Sequence, residues 1–496
     1  MPESQCGCAP YSGLNRPEAL KPRYFELKYI STRGRAPVLS FDDVVLAGLA
    51  RDGGLYVPET WPQISDQELS RLRGLSYAEL AARILAPFAA PAISEAELTL
   101  LCEDAYRGFD TYPDPAPLRR LSCGTYLLEL FHGPTLAFKD FALQVLGRLF
   151  DLVLSRRGER ITIIGATSGD TGSAAIEACR DREAIDIFML HPKGRVSEVQ
   201  RRQMTAVAAD NVHNIAIEGT FDDCQNLVKA LFADHPFRDR VRLAAVNSIN
   251  WARIAAQIVY YVHVARLLAE EERRLAFVVP TGNFGNVFAA YGAARMGMPI
   301  ETLIVASNRN DILTRFFATG SMAIGPVFAT LSPSMDIQVS SNFERYLFEL
   351  HDRDAGAVVS LMQRLRDARA FAVEPARLEQ ARRMFLAARC DDAGTSATIR
   401  SIYETDGLLI DPHTAVGVAA ARSAKAAGDA TKVCLATAHP AKFPDAVEAA
   451  TGVRPPLPSR LADLLSRPER YATLAADAGA LRQLIDQTLA AKGITQ

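Results

Sequence analysis

A lysine at the start of a helix is the first candidate for covalent chemistry. Lys139 follows the segment HGPTLAF, between an apolar strand predicted at 126–130 and a long helical pattern. The helix dipole disfavours a cation at a helix N-terminus, and the apolar neighbours Phe138 and Phe141 disfavour charge as well. Both effects favour a neutral amine of the kind that forms Schiff bases. A solvated lysine paired with Asp140 is the alternative, and the residue types alone leave both open.

A glycine-rich loop offers a place for an anion. The segment PTGNFGN at 280–286 follows an apolar strand and precedes a helix. Its two glycines let the backbone approach a ligand, and the helix N-terminus provides unpaired N–H groups and the positive end of the dipole. The loop predicts a phosphate cup. A tight turn that binds nothing is the alternative.

A second loop carries hydroxyl groups and two further glycines. The segment GATSGDTGS at 165–173 lacks the Gly-Lys-Ser/Thr ending of a P-loop and does not match G-x-G-x-x-G, which weakens both nucleotide-binding interpretations. Thr167 and Ser168 can donate to an anion or satisfy their own turn. Two anion loops in one chain indicate a ligand, or a pair of ligands, with two anionic groups.

Other catalytic patterns are missing from the sequence. It contains neither G-x-S-x-G nor H-E-x-x-H. His132, His413 and His439 lie in predicted loops, and each is a candidate for the site or a structural hydrogen-bonding group. Cys6 and Cys8 match no zinc-binding spacing, so we expect no metal site.

The elements that must position these loops alternate between strands and helices. Most predicted strands are continuously apolar, which is typical of parallel strands buried on both faces. We therefore predict an α/β fold with doubly wound sheets. The predicted strands are Tyr126–Leu130, Ile161–Ile164, Ile185–Leu190, Ile215–Ile217, Phe277–Val279, Leu303–Ala306 and Val433–Ala436.

Changes in this pattern divide the chain into three parts. Residues 1–22 are rich in Pro, Gly and Ser and indicate a flexible extension. Residues 23–118 form a predicted small α/β domain that ends in a proline-rich linker. Residues 119–496 form a predicted core of two α/β subdomains, with a helical insertion near 311–407.

Composition excludes several classes of protein. The 496 residues are 49% hydrophobic and carry a net charge of −2, which is typical of a globular protein without a general electrostatic preference for nucleic acid. No apolar run reaches the roughly 18 residues of a membrane span. The eight cysteines are scattered and no signal-peptide pattern is present, so we expect a cytoplasmic protein that binds neither nucleic acid nor membranes.

The motifs together resemble the threonine synthase family. HGPTLAFKDFALQ resembles the lysine motif with which these enzymes bind pyridoxal 5'-phosphate, and the N-terminal STRG and DGGLYVPE segments are also similar. The likeness continues, in the same order, through TSGDTGSAA, HPKGRVSEVQRRQM, NSINWARIAAQ, PTGNFGN, SSNFERYLFE, DPHTAVG and TAHPAKFPDAV. It implies a fold-type II pyridoxal-phosphate enzyme with a core similar to tryptophan synthase β and an added N-terminal domain.

The resemblance also implies roles for individual residues. Lys139 would be the catalytic residue and would bind the cofactor, and Thr437 would contact the pyridine nitrogen. Asp170 stands where many fold-type II relatives carry Asn, which leaves the contact to the ring hydroxyl unassigned. The cofactor phosphate would be bound by Gly282, Asn283, Phe284, Gly285 and Asn286.

The implied reaction converts O-phosphohomoserine and water to threonine and phosphate. A cationic partner is expected for the substrate phosphate, and Arg253 in NSINWAR is the candidate, with Thr167 and Ser168 donating from the second loop. Lys193 and Arg195 in HPKGR are rivals.

Other functions stay open at this point. A threonine-synthase-like phospholyase would use the same motifs and release a keto acid, phosphate and ammonia. A binding protein without activity would be expected to lose Lys139 or the glycine loop, and a serine or threonine dehydratase would not need the N-terminal unit. We expect a monomer or a small homo-oligomer.

Overall fold

The strands of the computed structural model are short and spread along the chain. The model describes residues 25–246, 248–269, 274–424 and 430–494, so the predicted extension at 1–22, with its two cysteines, lies outside the described residues. In chain order the strands are β1 (Tyr29–Ser31), β2 (Tyr56–Pro58), β3 (Leu118–Arg120), β4 (Tyr126–Glu129), β5 (Ile161–Ala166), β6 (Ile185–Pro192), β7 (Val212–Glu218), β8 (Leu243–Ala244), β9 (Leu275–Pro280), β10 (Ile300–Ser307), β11 (Ser321–Ala323), β12 (Ala370–Ala372), β13 (Phe385–Arg389), β14 (Thr431–Ala436) and β15 (Ala472–Ala475).

Helices connect most of these strands. They are α1 (Phe41–Ala47), α2 (Asp66–Arg71), α3 (Tyr77–Ala89), α4 (Glu95–Tyr106), α5 (Lys139–Arg157), α6 (Asp170–Cys179), α7 (Glu198–Thr205), α8 (Phe221–Ala233), α9 (His235–Arg240), α10 (Trp251–Leu268), α11 (Gly285–Arg295), α12 (Ile312–Thr319), α13 (Phe343–Leu350), α14 (Ala355–Asp367), α15 (Pro375–Arg382), α16 (Asp392–Asp406), α17 (Pro412–Ser423), α18 (Pro444–Thr451) and α19 (Ala478–Ala491). Within the described ranges, none of the helices is long and apolar enough to cross a membrane.

Two sheets form the core. The larger has six strands in the order β13-β10-β9-β14-β4-β3, all parallel except β3, and the smaller has five parallel strands in the order β15-β7-β6-β5-β8. Every residue of β6 and β9 is buried, and β9 is accordingly apolar throughout, whereas β6 also buries Asp186 and His191. Helices α5, α10, α11 and α17 pack on the larger sheet or on one another, as the strand–helix alternation predicts.

The strand order of the larger sheet brings distant loops together. Strands β9, β14 and β4 are adjacent and parallel. Their carboxyl ends lead into the loops at 280–286, 437–439 and 130–138. Because these ends meet at one edge of the sheet, three motifs that are up to about 300 residues apart in the chain lie side by side.

Serine residues precede helices α1, α3 and α4 of the N-terminal part, and two of these three serines cap their helix with the side chain. Ser76 and Ser94 each accept an N–H bond from the glutamate three residues later, and the carboxylate of that glutamate accepts the serine N–H in return. Ser40 differs, because its hydroxyl donates to the carboxylates of Asp42 and Asp43 and accepts no backbone N–H. A second nearby carboxylate therefore replaced the capping interaction.

The predicted helical insertion at 311–407 is only partly helical. It contains α12 to α16, but β11 and β12 form a small antiparallel pair within it, and β13 is the edge strand of the larger sheet. Strand β13 (FLAAR) is mostly half-buried and ends in an exposed arginine. Its apolar run, FLAA, is too short to be told from a buried helical segment by pattern alone, so its sequence is easily read as part of a helix.

Candidate active site

A cavity opens where the loops of the larger sheet meet those of the smaller one. It encloses about 680 Å³ of space, including its open mouth. Its walls come from both sheets, from α10 and from the segment before α13. They are formed by Phe138, Lys139, Asp170, Thr171, Ser248, Arg253, Gln257, Pro280, Thr281, Gly282, Asn283, Gly285, Asn286, Ser334, Met335, His413, Thr437 and Ala438.

Lys139 is the first residue of α5 and lines this cavity. Its Nζ lies 3.1 Å from Oδ2 of Asp170 and 5.0 Å from the centre of the Phe138 ring. Burial lowers the pKa of Lys139, and the attraction of Asp170 only partly opposes this effect. The alternative of a solvated pair with Asp140 is wrong, because Asp140 is buried and accepts hydrogen bonds from Thr135.

The Asp170 carboxylate has a donor on every side. Oδ1 lies 2.7 Å from Nζ of Lys442 and accepts a 2.8 Å bond from Gln200 Nε2. Oδ2 accepts from Lys139 and, at 3.0 Å, from the hydroxyl of Ser334. Burial raises the pKa of Asp170, but the two lysines outweigh burial and hold it well below its usual value. Asp170 is therefore an anion.

The glycine loop presents backbone donors to the cavity. Phe284 has φ +61°, an uncommon value for a residue other than glycine, and α11 begins directly after it. The N–H groups of Gly282, Asn283 and Gly285 donate no hydrogen bond to any residue that the structure describes. A Cβ on Gly282 would lie 2.8 Å from Ile337 Cδ1 and 3.2 Å from Met335 Cα, so a side chain there would displace Ile337 and press on the Met335 backbone. Phosphate oxygens suit such a set of donors.

The side chain of Asn286 adds one more donor. Its Oδ1 accepts bonds of 2.5 Å and 2.6 Å from the hydroxyls of Tyr260 and Tyr261. This arrangement fixes the amide orientation. Its buried Nδ2 has no acceptor among the described residues, and a buried donor of this kind calls for one.

Arg253 is a buried cation that forms no ion pair with any residue of the described ranges. It lies in the first turn of α10 with 3% of its surface exposed, and it lines the cavity. Its Nε and one terminal nitrogen contact no acceptor within the described part of the chain. Burial lowers the pKa of Arg253 to about 10. An unpaired guanidinium in a low-dielectric cavity is stabilised by an anionic ligand.

Thr437 follows β14 and lies next to the Lys139 loop. Its carbonyl accepts a 2.9 Å bond from the N–H of Phe138, and Ala137 pairs with Ala438 in an antiparallel bridge. The two loops therefore hold Lys139 and Thr437 on the same side of the cavity.

Four predicted substrate residues lie outside the cavity walls. The hydroxyl of Thr167 accepts N–H bonds within its own turn, and Ser168 is exposed. Lys193 is exposed and pairs with Glu218 at 3.0 Å, and Arg195 follows in the same loop. The second glycine loop contributes Asp170 and Thr171 to the cavity walls, in place of Thr167 and Ser168.

Of the three candidate histidines, one reaches the cavity. The Nε2 of His413 accepts the N–H of Ser334, and its Nδ1 lies 2.8 Å from Asp411. His132 and His439 are absent from the cavity walls.

Several site residues were not singled out by sequence reasoning. Ser248, Gln257, Ser334 and Met335 line the cavity, and Lys442 binds Asp170 from behind it. Gln257 lies one helical turn after Arg253, a spacing that could have revealed it. Ser334 carries no such signal, because only the folded chain brings it to Asp170.

Comparison with known proteins assigns the chain to a family. Residues 28–106 match the family model described as "Threonine synthase N terminus", 112–376 match "Pyridoxal-phosphate dependent enzyme", and 414–485 match "Threonine synthase, C-terminal". A threonine synthase of Pseudomonas aeruginosa is 54% identical over 462 residues, which cover 93% of this chain and 98% of that protein. This chain belongs to the threonine synthase family.

Solved structures agree with this membership. A crystal structure of threonine synthase from Brucella melitensis with bound pyridoxal phosphate has a TM-score of 0.91 and 52% identity, covering 93% of this chain and 99% of that one. The yeast threonine synthase structure has a TM-score of 0.89 and 39% identity, covering 95% and 100%. The predicted fold-type II architecture with an added N-terminal domain is thereby confirmed.

The cavity fits the cofactor of this family. Pyridoxal phosphate carries an aldehyde, a phosphate dianion and a ring nitrogen that accepts a hydrogen bond. The cavity offers an amine of lowered pKa in Lys139, the free N–H groups of the glycine loop, the unpaired Nδ2 of Asn286 and the hydroxyl of Thr437. Each of these three groups of the cofactor thus has a partner of suitable chemistry.

Proposed function

We propose that this protein is a pyridoxal-phosphate-dependent threonine synthase, which converts O-phospho-L-homoserine and water to L-threonine and phosphate. One observation carries the proposal beyond family membership. The amine of Lys139 and the unpaired guanidinium of Arg253 lie in the same cavity, so one pocket can bind a cofactor covalently and a phosphorylated substrate at once.

The cofactor would be held at three points. Lys139 provides the covalent link and the hydroxyl of Thr437 the partner of the ring nitrogen. The N–H groups of Gly282, Asn283 and Gly285, with the unpaired amide of Asn286, provide the phosphate site, whereas the N–H of Phe284 donates to the hydroxyl of Thr281. A hydroxyl differs from a carboxylate in that it does not hold the ring nitrogen protonated.

Bound pyridoxal phosphate serves as an electron sink for the substrate carbons next to its attachment point. Lys139 then supplies the proton transfers. Its Nζ, once released from the cofactor, takes a proton from Cα and exchanges protons at Cβ, and a neutral amine in an apolar wall suits this role. The bond between Cγ and the phosphate oxygen breaks, and phosphate leaves with the bonding electrons. Cγ then gains a proton to become the methyl group, water adds at Cβ, and a proton returns to Cα.

Arg253 would bind the phosphate of the substrate. A guanidinium forms two parallel bonds to a phosphate, and its buried position strengthens both. Gln257, one turn further along α10, lines the same wall. Lys193 and Arg195 are weaker candidates, because neither lines the cavity.

An assay of the purified holoenzyme tests the proposal. We expect O-phosphohomoserine to yield threonine and phosphate in a ratio of one to one. Phosphate accompanied by a keto acid and ammonia, without threonine, would identify a phospholyase instead.

A further inference from the structure

A second lysine is buried behind the site. Lys442 has no exposed surface and ends the short 3-10 helix Pro440–Lys442. Its Nζ lies 2.7 Å from Asp170 Oδ1 and donates a 2.7 Å bond to the carbonyl of Thr135. It is not part of the cavity wall, so it does not contact a ligand there. The proposed function gives Lys442 no role.

Lys139, Asp170 and Lys442 form a buried cluster of charged groups, and the net charge of this cluster depends on Lys442. With Lys139 protonated, the formal charges of the two lysines and Asp170 sum to +1. When Lys139 releases its proton to solvent and keeps the electron pair on Nζ, the sum falls to zero. Without Lys442 the same step would take the cluster from zero to −1, which leaves an unpaired anion in a buried site. Lys442 therefore makes the loss of the proton from Lys139 less costly.

The other groups around the cluster do not replace this charge. His413 reaches Asp170 through Ser334, and it lowers the pKa of Asp170 less than the two lysines do. Arg253 is a cation that faces Lys139, and it also lowers the pKa of that lysine. It contacts no oxygen of Asp170. Asp140 lies on the far side of Thr135, which donates to it twice.

We propose that Lys442 is a positioning residue that keeps Asp170 ionised and oriented, so that the nitrogen of Lys139 can exist without its proton. Lys442 acts through Asp170 and through its own charge, and never on the substrate. The inference rests on the proposed role of Lys139 and deepens it.

The experiment is a pH titration of the visible absorption band of the holoenzyme, which reports protonation of the Lys139 nitrogen bound to the cofactor. Lys442→Gln removes the charge and keeps a donor for Thr135. We expect the apparent pKa of the band to rise by about one unit or more, as for other charges removed at this distance. The matched control is Gln200→Met, because Gln200 donates to the same oxygen of Asp170 without a charge. It should shift the pKa less than half as far.

The outcomes distinguish an effect of the charge of Lys442 from an effect of its packing. Equal shifts in Lys442→Gln and Gln200→Met, no shift, or a downward shift in Lys442→Gln would overturn the proposal. Lys442→Met is a second neutral variant, since Gln203 also donates to the Thr135 carbonyl. If neither neutral variant folds, as judged by circular dichroism, the role of Lys442 is structural and the proposal fails. Absence of the band in the wild-type holoenzyme would instead contradict the proposed role of Lys139.

Discussion

At the scale of single residues, two cationic side chains share the cavity under different electrostatic conditions. Lys139 has a carboxylate partner and a pKa that burial lowers, whereas Arg253 is buried with nitrogens that lack partners. The first arrangement suits a group that gains and loses protons. The second suits a permanent cation that awaits an anion.

The role of Arg253 can be tested by its removal. Arg253→Ala should raise KM for O-phosphohomoserine at least tenfold, equivalent to about 1.4 kcal/mol, because one charge-assisted contact to phosphate is lost. The visible spectrum should stay intact. Arg266 is the matched control, a buried arginine of the same helix that donates to backbone carbonyls of Leu72 and Leu75. Arg266→Ala should lower stability and leave KM unchanged. An unchanged KM in Arg253→Ala, together with a large rise of KM in Arg195→Ala, would show that the substrate phosphate binds at Arg195 and not at Arg253.

Thr437 provides a second residue-level prediction. Thr437→Val keeps the shape of the side chain and removes one hydrogen bond, so cofactor affinity should fall by about 1 kcal/mol, or about fivefold. Equilibrium titration of the apoenzyme with pyridoxal phosphate measures this change. Thr437→Ser retains the hydroxyl and should stay close to the wild type. Equal cofactor affinity in the valine variant and the wild type would contradict the proposed contact between Thr437 and the ring nitrogen.

At the scale of elements, the glycine loop has little space for side chains. Gly282→Ala would place a Cβ 2.8 Å from Ile337 and 3.2 Å from the Met335 backbone, so the loop must shift and its N–H groups move out of line. We expect cofactor affinity to fall at least about tenfold, since several weak bonds are misaligned together. Gly74→Ala is the control, because a Cβ there meets no atom within 4 Å. Equal cofactor affinities in the two variants would argue against a phosphate site in this loop.

The strands of the core could be predicted because they are buried on both faces. Strands β9 and β14 carry runs of apolar residues that differ from the amphipathic helices around them, and their predicted positions agree with the structure to within about two residues. The edge strand β13 could not be found in this way, because only one side of it is covered. Its pairing with β10 is a property of the folded sheet.

Site residues could be predicted only where the neighbouring sequence itself indicates a function. Lys139, the glycine loop and Arg253 stand in local sequence contexts that point to a function, and the structure brings them into one cavity. The partners of Asp170 come from four segments between residues 139 and 442, so no local pattern could group them. The same limit applies to Thr167, whose hydroxyl the local sequence leaves equally suited to a ligand or to its own turn.

At the scale of the whole molecule, one buried arginine connects the N-terminal elements to the site. Arg345 donates to the carbonyls of Tyr56 in β2 and Ile249 before α10, and to the side chain of Asn342. The N–H of Asn342 in turn donates to the carbonyl of Asn283 in the glycine loop. The N-terminal domain therefore supports the proposed phosphate site through a continuous set of hydrogen bonds.

Removal of this connection should affect stability and cofactor binding together. Arg345→Met leaves three buried acceptors without their donor, so the free energy of unfolding should fall by at least about 3 kcal/mol in denaturant titrations. Cofactor affinity should fall as well, because the support of Asn283 is weakened. Arg454→Met, at an exposed ion pair, should change neither quantity. A destabilised Arg345→Met enzyme with wild-type cofactor affinity would show that the N-terminal domain does not support the phosphate site through this arginine.

The reaction itself is tested most directly by tracing oxygen from water. In water labelled with ¹⁸O, elimination at Cγ leaves the original bridging oxygen on phosphate, and the added water becomes the threonine hydroxyl. Mass spectrometry of early products should therefore find one ¹⁸O atom in threonine and none in phosphate, with no turnover by Lys139→Ala. Label in the phosphate together with homoserine as the organic product would show simple phosphate-ester hydrolysis and would contradict the proposed function.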